Sequence, residues 1–249
     1  MKLSKKQIKQ HNAALDVLEK DTLTYEEKLF VYENWIPAYN NQIGEIASYF
    51  TPRQLAIDFA FNINGGSVII DLCAGIGMLS FECFHFYNSK PKITCIELNY
   101  DFVQVGKKLL PEANWIYGDI LDEELIKNLG HFDSVVSNPP FGKIESTVNS
   151  NWLQYRGSEF EYKVIEVGRH LADYGCFILP QMSTPFRYSG ERSFRYEENA
   201  KYNKFNRETG IELEMNSGFD TSIYKDDWVG TSIITEITLC DYSECKQVV

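Results

Sequence analysis

Two consecutive prolines close a buried strand in this chain, and that junction limits what the whole can be. Phe132-Asp133-Ser134-Val135-Val136 reads as a short apolar strand, and Ser137-Asn138-Pro139-Pro140-Phe141 follows it directly. Proline lacks the backbone donor and fixes its own φ, so the strand cannot continue. The chain must leave the sheet stiffly at the strand's carboxyl end, where open α/β sheets bind ligands. Such a turn presents a side-chain amide, carbonyl groups and an aromatic face in fixed geometry. These groups suit a planar amine: Asn138 Oδ1 and the Pro139 carbonyl can accept its two N–H bonds, and Phe141 can stack on its ring.

The segments before this junction repeat one arrangement. Ser67 to Leu72 reads as a strand carrying Asp71 at its end, followed by the glycine turn Cys73-Ala74-Gly75-Ile76-Gly77-Met78 and a helix from about Leu79 to Phe86. Gly75 and Gly77 let a ligand approach the backbone closely. A dinucleotide fingerprint would need glycine or alanine at position 80, which is Ser80, and an acid beside the turn suits a positively charged ligand better than a pyrophosphate. Lys92 to Glu97 is the second strand and ends on an acid about twenty residues past the turn, where a carboxylate can hold ribose hydroxyls. Asn114 to Ile120 is the third, with Asp119 placed to accept from an adenine amino group. Three acids at successive strand ends line one sheet edge, and the fourth strand delivers Asn138 to it.

The flanks complete the alternation. Residues 1 to about 45 read as helical, with Ile8, His11, Leu15 and Leu18 on one face and capping-box spacing at Thr24 to Glu27. Pro37 ends that second helix or follows shortly after it. The segment reads as a flap packed on the main domain; an arm gripping a partner or substrate through Lys2, Lys5, Lys6 and Lys9 is the alternative. Thr51 and Pro52 suit the N-cap and first turn of a further helix. After the junction come a loop over 143–157, a helix carrying Phe160, Val164, Val167 and Leu171 and ended by Gly175, and a fifth strand, Cys176 to Pro180. Residues 183–209 interleave Arg187, Arg192, Arg195 and Lys201 with aromatics. They read as a surface for a stacked or flipped base, or else as an amphipathic helix with core aromatics. Two further strands, Ile211 to Phe219 and Trp228 to Leu239, form an antiparallel hairpin.

Composition sets the remaining limits. At 249 residues one domain is expected, and no apolar run nears the roughly 20 residues that span a bilayer. With lysines but no apolar signal region at the amino terminus, the chain reads as cytoplasmic with no membrane association. The six cysteines form no C-x-x-C pair, so reduced thiols are expected, with neither a disulfide framework nor a metal site. The net charge of −11 opposes tight autonomous binding to phosphates. A local basic surface or a partner must overcome it if the substrate is nucleic acid.

The ordered set resembles the class I S-adenosylmethionine-dependent methyltransferases over about residues 46–240. The expected fold is α/β and Rossmann-like, a seven-stranded, mostly parallel sheet with a C-terminal antiparallel hairpin. A helical extension at 1–45 would precede the methyltransferase domain at 46–249. Within that class it looks like the amino-methyltransferases of adenine, whose motif is an Asp, Asn or Ser, two prolines and an aromatic residue, here Asn138 to Phe141. Phe50-Thr51-Pro52, lying ahead of the glycine strand, resembles the gamma arrangement of DNA adenine methyltransferases. The resemblance implies S-adenosylmethionine as cofactor. Asp71, Ala74, Gly75 and Gly77 would line its methionine and ribose portion, Glu97 would hold the ribose, Asp119 with Ile120 the adenine, and Thr51 and Pro52 its carboxylate. Asn138, Pro139, Pro140 and Phe141 would be catalytic, with Asn138 also near the cofactor. Phe141, Arg192, Arg195 and Lys201 would bind substrate. Cys73 and Ala74 stand where a glycine is common, which is tolerable if their φ stays negative.

The implied reaction is methylation of the exocyclic amine of adenine in DNA. Structured RNA is the alternative acceptor, since no target-recognition domain is evident and a protein partner or homodimer would have to supply that role. A protein glutamine methyltransferase uses a related motif but usually presents tyrosine where Phe141 stands. A catalytically silent subunit is the remaining alternative, opposed by the intact motif.

Overall fold

The computed structural model describes residues 4–36, 50–63, 67–144, 146–228 and 231–243. Nine strands occur among them: β1 (Val68–Leu72), β2 (Lys92–Glu97), β3 (Asn114–Tyr117), β4 (Phe132–Ser137), β5 (Ala172–Pro180), β6 (Phe186–Arg187), β7 (Arg195–Tyr196), β8 (Glu214–Met215) and β9 (Thr235–Asp241). The helices are α1 (Lys5–Leu18), α2 (Tyr25–Asn34), α3 (Arg53–Ala60), α4 (Met78–Phe86), α5 (Tyr100–Leu109), α6 (Glu123–Lys127), α7 (Phe160–Arg169) and α8 (Ala200–Thr209). None is long and apolar enough to cross a membrane.

Seven strands form one sheet in the order β3-β2-β1-β4-β5-β9-β8. The first five are parallel, and β9 and β8 run against them. Strand β1 sits inside the sheet with both faces covered, which is why, Asp71 apart, it is a run of β-branched residues and leucine and not an alternating one. Ile69 joins the core on one face, with α1 to α5, and Ile70 the core on the other, with α6 to α8. The chain winds outward from β1 through β2 to β3 and then returns to β4 on the far side of β1. The order therefore reverses between β1 and β4, so the carboxyl ends of these two strands flank a crevice. The Ser137 hydroxyl donates to the Leu72 carbonyl and ties those two ends together.

The N-terminal helices pack onto the sheet domain and share its core, through Ala14, Leu18, Leu29, Val31, Tyr32 and Trp35. Both open with capping boxes, Ser4 with Gln7 and Thr24 with Glu27. Pro37 lies outside the described residues, as does Cys245. Cys73, Cys83, Cys95 and Cys176 carry free thiols.

Several sequence expectations need correction. Helix α3 begins one residue late: Pro52 is its N-cap and Thr51 makes no cap bond, because its hydroxyl is used elsewhere. Strand β3 ends at Tyr117, so Asp119 belongs to the loop beyond it. Gly175 does not end α7, which stops at Arg169; it lies inside β5, where a Cβ would come 2.5 Å from the Phe177 ring and 2.8 Å from the Tyr242 hydroxyl. The closing hairpin is present but its first strand is only two residues long. Residues 183–209 are not one helix. They form the separate β6–β7 ribbon and α8, which buries Tyr202 and Phe205. Cys73 has φ +61°, the left-handed region that disfavours side chains, so the negative φ that would make a non-glycine tolerable there is not met.

Candidate active site

A cleft of about 240 Å³ opens at the carboxyl ends of β1, β2 and β4 and the loop after β3. Its floor is the turn after β1. Left-handed Cys73 and Gly75 fold that turn back, and Gly75 N–H donates to Glu97 Oε2 at 2.8 Å. Glu97 Oε1 accepts from Asn99 N–H at 2.8 Å. One carboxylate thus fixes the exits of both β1 and β2. Each oxygen keeps a second lone-pair site that can meet a hydroxyl.

Asp71 lies deeper. It is 1% exposed; Oδ2 accepts from the Ser80 hydroxyl at 2.7 Å, and Oδ1, equally buried, has no partner. Burial raises its carboxyl to about 7. The Ser80 hydrogen bond opposes that rise, and repulsion from Glu97 adds to it. Burial also raises Glu97, against the backbone N–H groups that favour its charged form. Two carboxylates at one end of an apolar cleft make a place for positive charge. At the other end, Asp119 accepts from Leu121 N–H at 2.8 Å and from the Ser146 hydroxyl at 3.3 Å.

Asn138 enters from β4. Its Nδ2 donates to Thr51 Oγ1 at 3.0 Å, so the amide's accepting atom is Oδ1. The chain beyond Phe141 is fixed by α7. Gly142 N–H donates to Glu161 Oε2 at 2.8 Å, and Phe160 N–H returns a bond to the Gly142 carbonyl. Pro139, Pro140 and Phe141 complete this wall.

Of the residues expected at the site, Thr51, Asp71, Ala74, Gly75, Glu97, Asp119, Ile120 and Asn138 to Phe141 all line the cleft. Pro52 and Gly77 do not. Gly77 is the left-handed N-cap of α4, and a Cβ there would sit 2.9 Å from Trp115. Arg192, Arg195 and Lys201 are not in the lining either. Arg195 pairs with Glu191 at 3.2 Å, and Lys201 with Glu159 at 3.0 Å. The sequence reading missed Phe50, Phe102 and Phe160 as cleft walls. Phe102 and Phe160 fit helical faces in the sequence, and helical spacing does not separate core aromatics from lining ones.

The sheet order and the position of this cleft are those of the class I S-adenosylmethionine-dependent methyltransferase fold. Residues 57–154 match the model of the Methyltransferase small domain. Over 169 residues the chain is 27% identical to the release factor glutamine methyltransferase of Mycoplasma mycoides subsp. mycoides, covering 63% of this chain and 57% of that protein. Two solved structures share the fold. A class I S-adenosylmethionine-dependent methyltransferase from Listeria monocytogenes aligns with TM-score 0.60 at 13% identity, over 93% of this chain and 71% of its own. The methyltransferase subunit of a type I restriction-modification system from Streptococcus thermophilus aligns with TM-score 0.59 at 18% identity, over 87% and 49%.

The cleft fits S-adenosylmethionine by its own chemistry. The unpartnered Asp71 oxygen and Glu97 suit a cation that also carries hydroxyl groups, and Phe50 and Phe102 suit a flat ring. Glu97→Ala should weaken binding of S-adenosylhomocysteine by about 1–3 kcal/mol in calorimetry, the usual cost of losing charged hydrogen bonds. Unaltered affinity would mean that the ribose is held elsewhere.

Proposed function

We propose that this chain is an S-adenosylmethionine-dependent methyltransferase acting on a planar exocyclic nitrogen, with adenine N6 in DNA as the acceptor. The observation that carries the reading is the Asn138 amide, held by Thr51 at the cleft wall between a buried strand and two prolines. When bound, the cofactor supplies a methyl group activated by a sulfonium. The chain's own residues orient the acceptor. Asn138 Oδ1 and the Pro139 carbonyl accept the amine's N–H bonds and draw its lone pair out of conjugation. Phe141 stacks on the extruded base. Asn138 Oδ1 is shielded from solvent in this structure, so an amine reaches it after a local shift of the wall. The methyltransferase subunit of the Streptococcus thermophilus restriction system, similar in fold, supports DNA as the polymer.

A second acceptor is the side-chain amide of glutamine in a protein. It is favoured by the pairing of cations in 183–209: Arg187 with Glu197, Arg195 with Glu191 and Glu197, Lys201 with Glu159, and Lys204 with Glu208. Cations already paired with carboxylates neutralise few phosphates, so few counterions leave the nucleic acid. The Mycoplasma mycoides relative, named for its action on release factors, supports the same acceptor. Tritiated methyl transfer to duplex DNA, single-stranded DNA, total RNA and protein extract, followed by nuclease or protease digestion, separates the acceptors. Label in none of them would overturn the methyltransferase reading.

If the acceptor is a nucleic acid, the exposed cations near β7 carry its contact, with a partner or a second copy of the chain supplying target recognition. Reversing Arg192, Arg195 and Lys201 to glutamate should then raise the apparent KM for nucleic acid and make its salt dependence shallower, by about one counterion per lost phosphate contact. Cofactor binding should stay intact. Unchanged KM and salt slope would remove this surface from the reaction.

A further inference from the structure

No side chain of α1 or α2 lines the cleft, yet α2 reaches two parts of its frame. The buried Tyr32 hydroxyl lies 3.3 Å from both the Ile76 and Gly77 carbonyls and donates between them. Ile76 is a cleft residue, and Gly77 turns the chain into α4. The space around Gly77 is tight on the Trp115 side, where a Cβ would lie 2.9 Å away, and on the other side a Cβ would be in ordinary contact with the Tyr32 hydroxyl at 3.7 Å. The glycine turn is therefore held between a ring on β3 and a hydroxyl on α2.

The second contact is aromatic. Trp35, which caps α2, stacks on Phe50 with ring centroids 5.8 Å apart and meets Phe102 edge-on at 5.6 Å. Phe50 and Phe102 both line the cleft, and a Cβ on Gly75 would lie 3.3 Å from the Phe50 ring. The helices are tied down independently. Lys108 donates to the Leu18 carbonyl at the end of α1, Ile36 N–H donates to His11 Nδ1 at 3.0 Å, and Arg53 joins Glu82 at 2.8 Å to the Tyr25 hydroxyl at 3.2 Å.

We propose that the N-terminal helices are part of the cofactor site, with Tyr32 and Trp35 as positioning residues that hold the glycine turn and the Phe50–Phe102 wall in their binding shape. This rests on the reading of the cleft as the S-adenosylmethionine site. Its physical content is linkage. A ligand that needs the turn in place stabilises the docked state of α2, and local opening of α2 weakens the ligand by the same free energy.

Tyr32→Phe in the full chain is the test. It keeps the ring and its contact with Phe81, at 5.0 Å between centroids, and removes only the donor. Calorimetric titration with S-adenosylhomocysteine should show roughly three- to tenfold weaker binding, the range for one hydrogen bond, while the ligand-free thermal midpoint moves little. Hydrogen exchange supplies the second readout. S-adenosylhomocysteine should slow exchange of the amides of Tyr25–Asn34 in the wild type, and less so in the variant. Wild-type affinity in Tyr32→Phe, or α2 amides indifferent to ligand, overturns the proposal and leaves the cofactor reading standing. A wild-type chain that does not bind S-adenosylhomocysteine overturns both.

Discussion

Asn138→Ala is expected to lower methyl transfer by about 100-fold or more, the scale seen when a preorganised polar group at the reacting centre is removed. Cofactor affinity should barely change. Asn138 follows a strand whose last residue, Ser137, is anchored to the Leu72 carbonyl by its own hydroxyl, so truncating the amide does not release the strand. The Thr51 hydroxyl loses its donor, but as a donor itself it can turn to other groups. Thr51→Val removes the hydroxyl that accepts from Asn138 Nδ2 and, with cofactor saturating, should give a smaller loss in the same direction, because the amide is then present but unoriented. Single-turnover rates with saturating cofactor measure both variants. Near-normal turnover in Asn138→Ala would mean that the amine is held by other groups.

Cofactor affinity is expected to rise with pH through neutrality, and Asp71 is the reason. Burial brings its carboxyl to about 7 in the folded protein. In the unfolded chain it returns to about 4. Between those values the folded state holds a proton that the unfolded chain has released, so ligand-free stability falls as pH rises, by at most about 1.4 kcal/mol per pH unit. A ligand bearing an ammonium group prefers the ionised carboxylate. Its affinity should therefore increase by up to about tenfold per pH unit below 7 and level off above. Asp71→Asn should flatten both profiles and weaken binding at high pH. Titrations of S-adenosylhomocysteine alongside thermal midpoints, across about pH 5.5 to 8.5, measure both. A wild-type affinity profile that is flat over this range would place the ligand's charge away from Asp71.

The pairing of cations in 183–209 bears on what such an enzyme can hold. A basic, aromatic stretch in the sequence suggests a phosphate-binding surface. In the folded chain the carboxylates of Glu159, Glu191, Glu197 and Glu208 lie against those cations, and Tyr202 and Phe205 are core. Residue types name the groups available, but whether a charge is spent internally depends on which groups packing brings within reach.

The same division runs through the whole molecule. The alternation of strands and helices, the acids at or just past the ends of β1, β2 and β3, and the stiff exit at Asn138-Pro139-Pro140 were all legible along the chain. Each depends on short-range rules: period-two and helical patterns, a proline's fixed φ, a glycine's freedom. Those rules carry an element's existence and its end, and hence a set of groups on one sheet edge. Tertiary structure alone decided the rest. It paired Asn138 with Thr51, 87 positions away in the chain. It put Cys73 in a left-handed conformation that its residue type disfavours. It also brought Tyr32 and Trp35 from an N-terminal extension against the turn and wall of the cleft. These facts follow from how finished elements pack, and distances between elements far apart in sequence leave no periodic trace in it.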